Sequence, residues 1–515
     1  MPAVWVLEAL VVLVATGQFL RIAAKPAFRA ATVWKPGWKW PLVGSAVSLG
    51  AVGLWAARRW PLVLHIGAGS LALLMVAAWW RARPSYGRFR RLPPGSLGLG
   101  HSLDALQHQR YYLEQAARFG PVFKSSGFGR PVVCVIGLGR ARAILSAHGA
   151  SLGAPKRTRQ YLRFIPRGVL RWMDPETHRE LAPRFRAGYG SLDLELAEPA
   201  LRAIYRANLA RLAADSSAVE GGIPVRPYLQ RAILASIGYL FYGLGSEDPL
   251  LDQLERCLPL LQGPVVGSRR WRRTTREGID GITAIIGAVR SRWNGENRGR
   301  FTPALRAMAD GDAGALDDPT VAGNFILVSH IAYGDLTGLH LWVFKMVSDH
   351  PLVLAPVRAG VPDAGTRIIM ETLRMEQSEF LYRRVTRSFE YEGMTIPAGW
   401  MIRFCIRESH RDPSVFPDPD RFDPDRFAGR TYSREEYAPF GADSHACMGS
   451  HFAHFLGRLF VEELARGFDW QVVTDGPAEP GGNRPGDHWR PSSRQRVVMR
   501  AAGATVPQVS ASNRA

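Results

Sequence analysis

Three long apolar runs near the N-terminus constrain the fold more than any other feature of this chain. They are Val4 to Leu20, Pro41 to Ala57 and Trp60 to Trp80, and only Glu8 places a formal charge within them. Each run is close to the roughly 20 residues needed to cross a bilayer core. Tryptophans stand at the run edges, where amphipathic rings suit the headgroup layer. We therefore predict a membrane anchor of three transmembrane helices over residues 1–92, with core helices of a soluble domain as the alternative.

The basic residues around these runs predict an orientation. Lys and Arg are frequent between the first and second runs and after the third, whereas only Arg58 and Arg59 separate the second from the third. By the positive-inside rule, the N-terminus lies outside and the rest of the chain is cytoplasmic. A cleaved secretory signal is disfavoured, because no Lys or Arg precedes Val4 and further apolar runs follow.

Composition narrows the class of partner. The chain has 65 Lys and Arg against 45 Asp and Glu, a net charge of +20, which favours an anionic partner such as a membrane surface, a nucleic acid or an acidic protein. Charge alone does not choose among these. The four cysteines lie far apart, which predicts neither a disulfide framework nor a zinc knuckle and favours a reducing compartment. They are Cys134, Cys257, Cys405 and Cys447.

After a proline- and glycine-rich linker, Arg91 to Ser102, the pattern predicts a second domain over residues 93–502 and a disordered tail over 503–515. This domain is mainly helical with a few short strands. Pro131 to Gly139 reads as a strand, and Phe389 to Cys405 as a hairpin closed by the Pro397-Ala398-Gly399 turn.

One predicted helix, Asn324 to His350, is apolar nearly all round and is expected to run through the centre of the domain. Asp335 lies near its middle. A carboxylate in such surroundings is costly unless it is paired, solvated or used in chemistry.

The stretch "FGADSHACMG", residues 440–449, places Cys447 just before a helical pattern from Ser450 to Phe468. Amide groups and the positive end of a helix lower a thiol pKa and stabilise a thiolate. Small residues around the sulfur let the backbone approach a flat cofactor. An inert buried cysteine is the alternative.

The spacing of Phe440, Gly441, His445, Cys447 and Gly449 resembles the heme-binding loop of the cytochrome P450 family of heme-thiolate monooxygenases. The resemblance covers roughly Arg91 to Ala502. It implies the mainly α fold with small β-sheets of that family, preceded here by the transmembrane helices, and heme b (iron protoporphyrin IX) as cofactor. Cys447 would be the thiolate ligand of the iron. Asp443 departs from the family, which usually has glycine there.

Further residues match the family in order along the chain. Glu371 and Arg374 match its Glu-x-x-Arg pair, and Arg426 the arginine that joins them in folding the heme pocket. The resemblance assigns heme-propionate contacts to Arg383, His445 and His178. Ala182 stands where the family usually has another arginine, for which Arg184 is a candidate substitute.

The central helix carries "AYGDLT", Ala332 to Thr337, which resembles the family's oxygen-binding pattern Ala-Gly-x-Asp-Thr-Thr. It keeps the acid, Asp335, and we assign Asp335 and Thr337 to catalysis. Leu336 takes the place of the first threonine, whose hydroxyl normally holds the proton relay. Thr337 is rotated by about 100° around the helix and does not simply replace it.

Three functions follow from these matches. The first is a monooxygenase that inserts one oxygen atom from O2 into a lipophilic small molecule. The second is a heme-thiolate isomerase, dehydratase or radical-coupling enzyme that does not need the full relay, and the third is a non-enzymatic heme sensor. Dependence on dioxygen and reductant separates the first two.

Partners are predicted with less detail. No flavin or nicotinamide fingerprint follows a strand, so electrons come from a separate ferredoxin, flavodoxin or flavin reductase. Specificity segments around Ala154 to Met173 and Leu258 to Arg290, together with the anchor, favour a lipophilic substrate such as a terpenoid, polyketide or acyl lipid. No nucleic-acid motif is present, and the arginine cluster Gly267 to Gly278 reads as a solvated loop or a membrane-facing surface.

Overall fold

The computed structural model describes residues 91–95, 105, 108–127, 130–153, 161–170, 173, 175–262, 268–292, 318–376, 381–441, 446–480 and 489–503. The three predicted membrane runs, His445, Asp443 and nearly all of the predicted tail lie outside these residues. Within the described ranges, no helix combines the length and the apolar character needed to cross a bilayer. The membrane anchor and the predicted domain boundaries therefore stay predictions.

The described chain is mainly helical with small sheets, as predicted. The helices are α1 (Tyr111–Phe119), α2 (Leu138–His148), α3 (Pro175–Gly190), α4 (Leu194–Ser217), α5 (Arg226–Ile237), α6 (Pro249–Cys257), α7 (Arg269–Ser291), α8 (Pro319–Asp349), α9 (Ala355–Arg358), α10 (Ala364–Met375), α11 (Ile406–Ser409) and α12 (Ser450–Gly467). The strands are β1 (Val122–Gly127), β2 (Arg130–Val135), β3 (Leu152–Gly153), β4 (Ile223–Pro224), β5 (Leu381–Val385), β6 (Phe389–Tyr391), β7 (Met394–Ile396), β8 (Met401–Phe404), β9 (Phe468–Thr474), β10 (Glu479–Pro480), β11 (Trp489–Arg490) and β12 (Arg496–Ala501).

The described residues divide into two compact units, of which the smaller contains the described residues up to Val135 together with residues 385–403. In this unit β1 and β2 pair antiparallel, with Val122 opposite Val135, and β8 lies beside β2. The buried residues of β2 include Val133 and Cys134, both 0% exposed, and this apolar run is the reason the strand forms. The predicted strand, Pro131 to Gly139, is confirmed as far as Val135, whereas Leu138 and Gly139 begin α2.

One expectation for this unit is corrected. The hairpin joins β6 to β7 through Glu392 and Gly393, both at positive φ, and not through Pro397 to Gly399. Glycine at the second turn position accepts that backbone conformation without strain. Within the predicted linker, the Pro94 carbonyl accepts the backbone N–H of Lys124 at 2.7 Å, and the linker itself stays a prediction.

The larger unit holds the main hydrophobic core and the central helix α8. The Asp318 carboxylate accepts the Thr320 N–H at 2.7 Å and Pro319 occupies the first turn, so the helix begins before the predicted Asn324. It ends at Asp349, ahead of Pro351. Helices α5, α10 and α12 pack against it. The predicted central, largely buried helix is confirmed.

Small sheets complete this unit. Strand β12 pairs antiparallel with β4 on one side and β9 on the other, with an irregularity between Arg496 and Val497. Strands β10 and β11 pair antiparallel, and β3 lies beside β5.

The arginine cluster is helical. Residues 269–276 form the first two turns of α7, capped by Ser268, whose hydroxyl accepts the Trp271 N–H at 3.0 Å. The expected loop is therefore wrong, because the serine cap and the buried Trp271 anchor a helix start there. The expected solvated face is present on the same turns, since Arg269, Arg270, Arg273 and Arg276 are exposed.

Candidate heme-thiolate site

Cys447 is the exposed cysteine among the four, and the other three are buried. Its backbone N–H donates to the Phe440 carbonyl at 2.9 Å, which closes the loop between these residues. The Gly449 N–H lies 3.3 Å from the Cys447 Sγ and donates to it. Helix α12 begins at Ser450, so its positive end faces the same sulfur. These donors favour a thiolate, which is the ligand that heme iron needs in this family.

Steric constraints explain why glycine stands at positions 441 and 449. Gly441 has φ +86°, a left-handed conformation that side chains rarely adopt. A Cβ on Gly449 would lie 2.7 Å from the Phe452 ring. The Phe440 ring packs edge-on against His454, with centroids 5.4 Å apart. The described residues on both sides of Cys447 thus present an accessible sulfur, which fits a planar cofactor on the cysteine side.

The Glu371 carboxylate is the centre of a buried network behind this loop. Arg374 Nε and Nη2 donate to its two oxygens at 2.7 and 2.9 Å, and both side chains are 0% exposed. Arg426 Nε donates to Glu371 Oε1 at 3.0 Å, and the Asp423 N–H donates to the same oxygen at 2.9 Å. The three side chains that the family resemblance grouped therefore meet in one hydrogen-bonded cluster.

His410 belongs to this network and was not singled out in the sequence. Its carbonyl accepts Arg374 Nη1 at 2.9 Å, and its Nε2 accepts the Ala438 N–H at 3.0 Å. Burial, with the nearby charge of Arg374, lowers the pKa of His410 to about 3. The imidazole is thus neutral and able to accept. Because Ala438 lies two residues before Phe440, His410 links the ion pair to the cysteine loop.

Sequence reasoning also missed a second ion-pair cluster, at the end of α10 next to Arg374. Glu376 accepts from Arg407 at 3.4 Å and from Arg411 at 3.3 Å. Both arginines also donate to the Met375 carbonyl, which is at the end of α10. The signal in the sequence was the clustering of these charges between Arg374 and the cysteine loop. They hold the C-terminal end of the helix that carries Glu371.

The three predicted propionate contacts have different placements. Arg383 lies on β5, is 7% exposed, and donates from Nη1 to the Tyr382 carbonyl at 3.1 Å. His178 lies in the first turn of α3 and is 8% exposed. His445 lies outside the described residues. Ala182 is buried and Arg184 is half-buried. The hydrogen bond from Arg167 lowers the pKa of Glu180, and the charge of Arg184 adds to this effect. The propionate roles stay predictions.

The oxygen-binding match falls where α8 changes its exposure. Residues 331–335 are half-buried in succession, whereas 336–344 are buried. Asp335 is in the half-buried stretch, as is Tyr333, which occupies the position where the family pattern has glycine. Burial raises the pKa of the Tyr333 phenol, and the charge of Arg490 opposes this. This stretch is the part of the central helix that offers side chains to a bound molecule.

Leu336 and Thr337 lie on the packed part of the helix. Leu336 is 6% exposed and Thr337 1% exposed, and Thr337 Oγ1 has no hydrogen-bond partner. Residues two apart do not share a helix face, so Thr337 and Asp335 point apart. The Leu336 carbonyl accepts His340 Nδ1 at 2.8 Å, and Tyr205 lies 2.9 Å from His340 Nε2. Burial lowers the pKa of His340 to about 4.

Aromatic contacts bring the half-buried stretch of α8 alongside the helix that follows Cys447. The Phe241 ring packs 6.5 Å from Phe325 on α8 and 5.5 Å from Phe452 on α12. Further along, His340 and Phe460 are 5.0 Å apart. Residues 331–335 lie between these two contacts along α8. The acid thus lies on a helix that packs against the helix following the thiol, which is the arrangement that a heme between them requires.

Comparison with known proteins agrees with the resemblance seen in the sequence. The family model for cytochrome P450 matches residues 366–496, which contain Glu371, Arg374, Arg383, Arg426 and Cys447. Abscisic acid 8'-hydroxylase 3 of Oryza sativa subsp. indica is 26% identical over 420 residues, covering 74% of this chain and 82% of its own. Abscisic acid 8'-hydroxylase 2 of Arabidopsis thaliana is 27% identical over 431 residues, covering 75% and 86%. A solved structure, the retinoic acid bound cyanobacterial CYP120A1, has the same fold, with a TM-score of 0.65 at 21% identity over 80% of this chain and 99% of that one.

Proposed function

This chain is a member of the cytochrome P450 family, and from that premise we propose that it is a membrane-anchored monooxygenase that hydroxylates a lipophilic terpenoid acid. Family membership makes it an oxidoreductase with heme b, which inserts one oxygen atom from O2 into a lipophilic small molecule. The substrate class, the membrane anchor, the electron donor and the roles of single residues are the proposed part.

The observation that carries the proposal is the donor set around Cys447. The exposed thiol, the Gly449 N–H at 3.3 Å and the start of α12 together stabilise a thiolate that would hold the iron. When bound, the heme supplies the activation of dioxygen. The protein would supply the anionic ligand from the segment before α12 and an acid on α8, the helix packed against α12.

Asp335 is proposed to deliver protons to the distal side. It is the acid of the half-buried stretch of α8, and the leucine at 336 offers no hydroxyl to share the task. An ordered water or a hydroxyl of the substrate would complete the relay. Arg383, His178 and His445 are proposed to bind the heme propionates, because guanidinium and imidazolium groups pair with carboxylates.

The names of the relatives support the substrate class. Both plant relatives described above are abscisic acid 8'-hydroxylases, so a terpenoid carrying an acid group is the first class to test. Titration of the ferric enzyme with abscisic acid and longer terpenoid acids should give a substrate-type difference spectrum, and turnover under labelled dioxygen should place one labelled atom in the product. If only uncharged lipids shift the spectrum, the substrate class is wrong and the monooxygenase assignment stands.

The anchor and its orientation are proposed from the three apolar runs and their flanking charges. The runs Val4 to Leu20, Pro41 to Ala57 and Trp60 to Trp80 would place the N-terminus outside and the heme domain in the cytoplasm. A reporter fused after Ala515 should be active on the cytoplasmic side only. Activity confined to the outer side would reverse the orientation.

A separate protein is proposed to supply the electrons, and a ferredoxin, a flavodoxin and a flavin reductase are the candidates. Reconstitution with one of each class, with product counted per electron consumed, would identify the class. Turnover with NADPH alone would contradict the need for a separate donor.

A further inference from the structure

Arg490, on β11, is a half-buried arginine without an ion-pair partner among the described residues. It lies directly opposite Glu479 of β10 in the two-stranded sheet, a position at which opposite charges usually attract each other. The Glu479 carboxylate is instead bound by two hydroxyls, accepting from Ser493 at 3.0 Å and from Ser492 at 3.4 Å. The Arg490 guanidinium therefore keeps its hydrogen-bond donors for another acid.

A second arginine adds positive charge to the same place. Arg226, the first residue of α5, donates from Nη2 to the Pro491 carbonyl at 3.3 Å, and its Nε is buried without a hydrogen-bond partner. Burial lowers the pKa of Arg226, the charge of Arg490 lowers it further, and Glu479 opposes both. Two guanidinium groups thus lie near one carboxylate. A bound anion would offset the excess positive charge, which is costly away from bulk water.

The backbone around Arg490 is held from both sides. Trp342 of α8 donates from its indole Nε1 to the Trp489 carbonyl at 2.7 Å, and Arg226 of α5 donates to the Pro491 carbonyl. Strand β11 accordingly packs against α8. The Arg490 side chain therefore starts from a fixed point between two helices, and a group placed in advance loses less freedom when it binds a ligand.

This fixed point lies next to the half-buried stretch of α8. The charge of Arg490 opposes the effect of burial on the pKa of the Tyr333 phenol, so the guanidinium is near that side chain. No described residue forms a hydrogen bond with the Tyr333 hydroxyl. Tyr333 precedes Leu336 by three residues, which places the two on neighbouring sides of the helix, about 60° apart. Because Leu336 stands where the family has its oxygen-side threonine, Arg490 and Tyr333 border the space in which a substrate would react.

We propose that Arg490 and Tyr333 bind the carboxylate of the substrate, and that this site selects acids over neutral lipids. The planar guanidinium matches both oxygens of a carboxylate, and the phenol O–H donates a further hydrogen bond. Arg226 strengthens the attraction through its charge. The site would also determine which end of an elongated acid approaches the oxygen. The inference deepens the proposed function and rests on the heme-thiolate pocket described there.

The test titrates the full-length holoenzyme with abscisic acid, retinoic acid and lauric acid, and with the methyl ester of each. An ester keeps the apolar body and removes the charge, so the ratio of the two dissociation constants reports on the carboxylate alone. Difference spectra measure binding, and equilibrium dialysis covers any compound that leaves the spectrum unchanged. We expect at least one acid to bind about tenfold to a hundredfold more tightly than its ester.

Four variants locate the site. Arg490→Gln should reduce the preference for acids by about tenfold or more, and Tyr333→Phe by up to about tenfold. The matched control, Arg494→Gln, removes an exposed positive charge four residues further along and should keep the preference. Glu479→Gln should strengthen the binding of acids, because it removes the carboxylate that attracts the two arginines. A gain in affinity is not produced by loss of folding, and the carbon monoxide spectrum monitors the fold of each variant.

The proposal would be overturned by esters that bind as tightly as their acids throughout the panel, by an unchanged preference in Arg490→Gln, or by an equal loss in Arg494→Gln. Loss of heme from Arg490→Gln with the preference intact would assign the guanidinium to a heme propionate and overturn it too. If Arg490→Gln does not fold, the comparison of acids with esters and the Glu479→Gln variant still decide.

Failure of this site and failure of the proposed function give different results. If neutral lipids are hydroxylated with labelled dioxygen and no acid is preferred, the carboxylate site is wrong and the monooxygenase stands. A preference confined to lauric acid and lost in Arg490→Gln would keep the site and contradict the terpenoid class.

Discussion

Arg374 and Glu371 form a two-point ion pair, with N–O distances of 2.7 and 2.9 Å and both side chains fully buried. The residues are three apart on α10, so one helix face presents both groups. Asp423 and Arg426 add donors to the same carboxylate. The cluster ties α10 to the segment that leads into the cysteine loop.

Removing the negative charge from this cluster should destabilise the protein strongly. Glu371→Gln leaves the Arg374 charge buried and uncompensated, at a cost of about 3–5 kcal/mol. We expect a lower melting temperature and poor heme incorporation, measured by thermal unfolding and by heme content. Glu435→Gln, which removes an exposed pair with Arg142 at 3.1 Å, should cost no more than about 1 kcal/mol. Equal losses in the two variants would contradict the role given to the cluster.

Cys447→Ser should abolish the absorption band of the reduced, carbon monoxide-bound enzyme that is characteristic of thiolate ligation. A serine hydroxyl does not ionise near neutral pH and is a poor ligand for iron. Cys257→Ala, a change at a buried cysteine on α6, serves as the control and should keep the full band. A normal band in Cys447→Ser would remove the central assignment.

Asp335→Asn should lower oxygen-dependent turnover by about 10²- to 10⁴-fold, the usual contribution of a general acid. Leu336→Thr should keep turnover at about the natural rate and raise the amount of product formed per electron consumed. The reason is that it places a hydroxyl next to Asp335. Product and consumed reductant are measured for both variants. Unchanged product in Asp335→Asn without added reductant would point to a rearrangement enzyme.

Folding stability should fall as the solution is acidified from about pH 6.5 toward pH 4. Burial lowers the pKa of His340 to about 4 and that of His410 to about 3, so the unfolded chain binds more protons than the folded chain in this range. Each such histidine contributes a slope of about 1.4 kcal/mol per pH unit, and the stabilisation is complete above the unfolded pKa. Urea unfolding between pH 5 and pH 7 measures it. His340→Phe should reduce the slope, and an unchanged slope would show that His340 is not a buried neutral histidine.

The heme loop, the Glu-x-x-Arg pair and the long central helix could be predicted because each depends on residues close together in sequence. The resemblance to the family identifies the loop from the spacing of Phe440, Cys447 and Gly449. A separation of three places Glu371 beside Arg374, and sustained apolar character predicts α8. The start of α12 could be predicted from the sequence for the same reason.

The rest depended on packing between distant segments. Nothing local shows that His410 would accept from Ala438 next to the cysteine loop, or that Thr337 would be buried while Asp335 stays half-exposed. The hairpin turns at Glu392 and Gly393 because β6 pairs with β7, whereas β8, which follows the proline turn, lies beside β2 in another sheet. Local spacing determined which groups this chain carries for heme chemistry, and the tertiary structure decided which are buried, because burial is a property of the neighbours that packing brings.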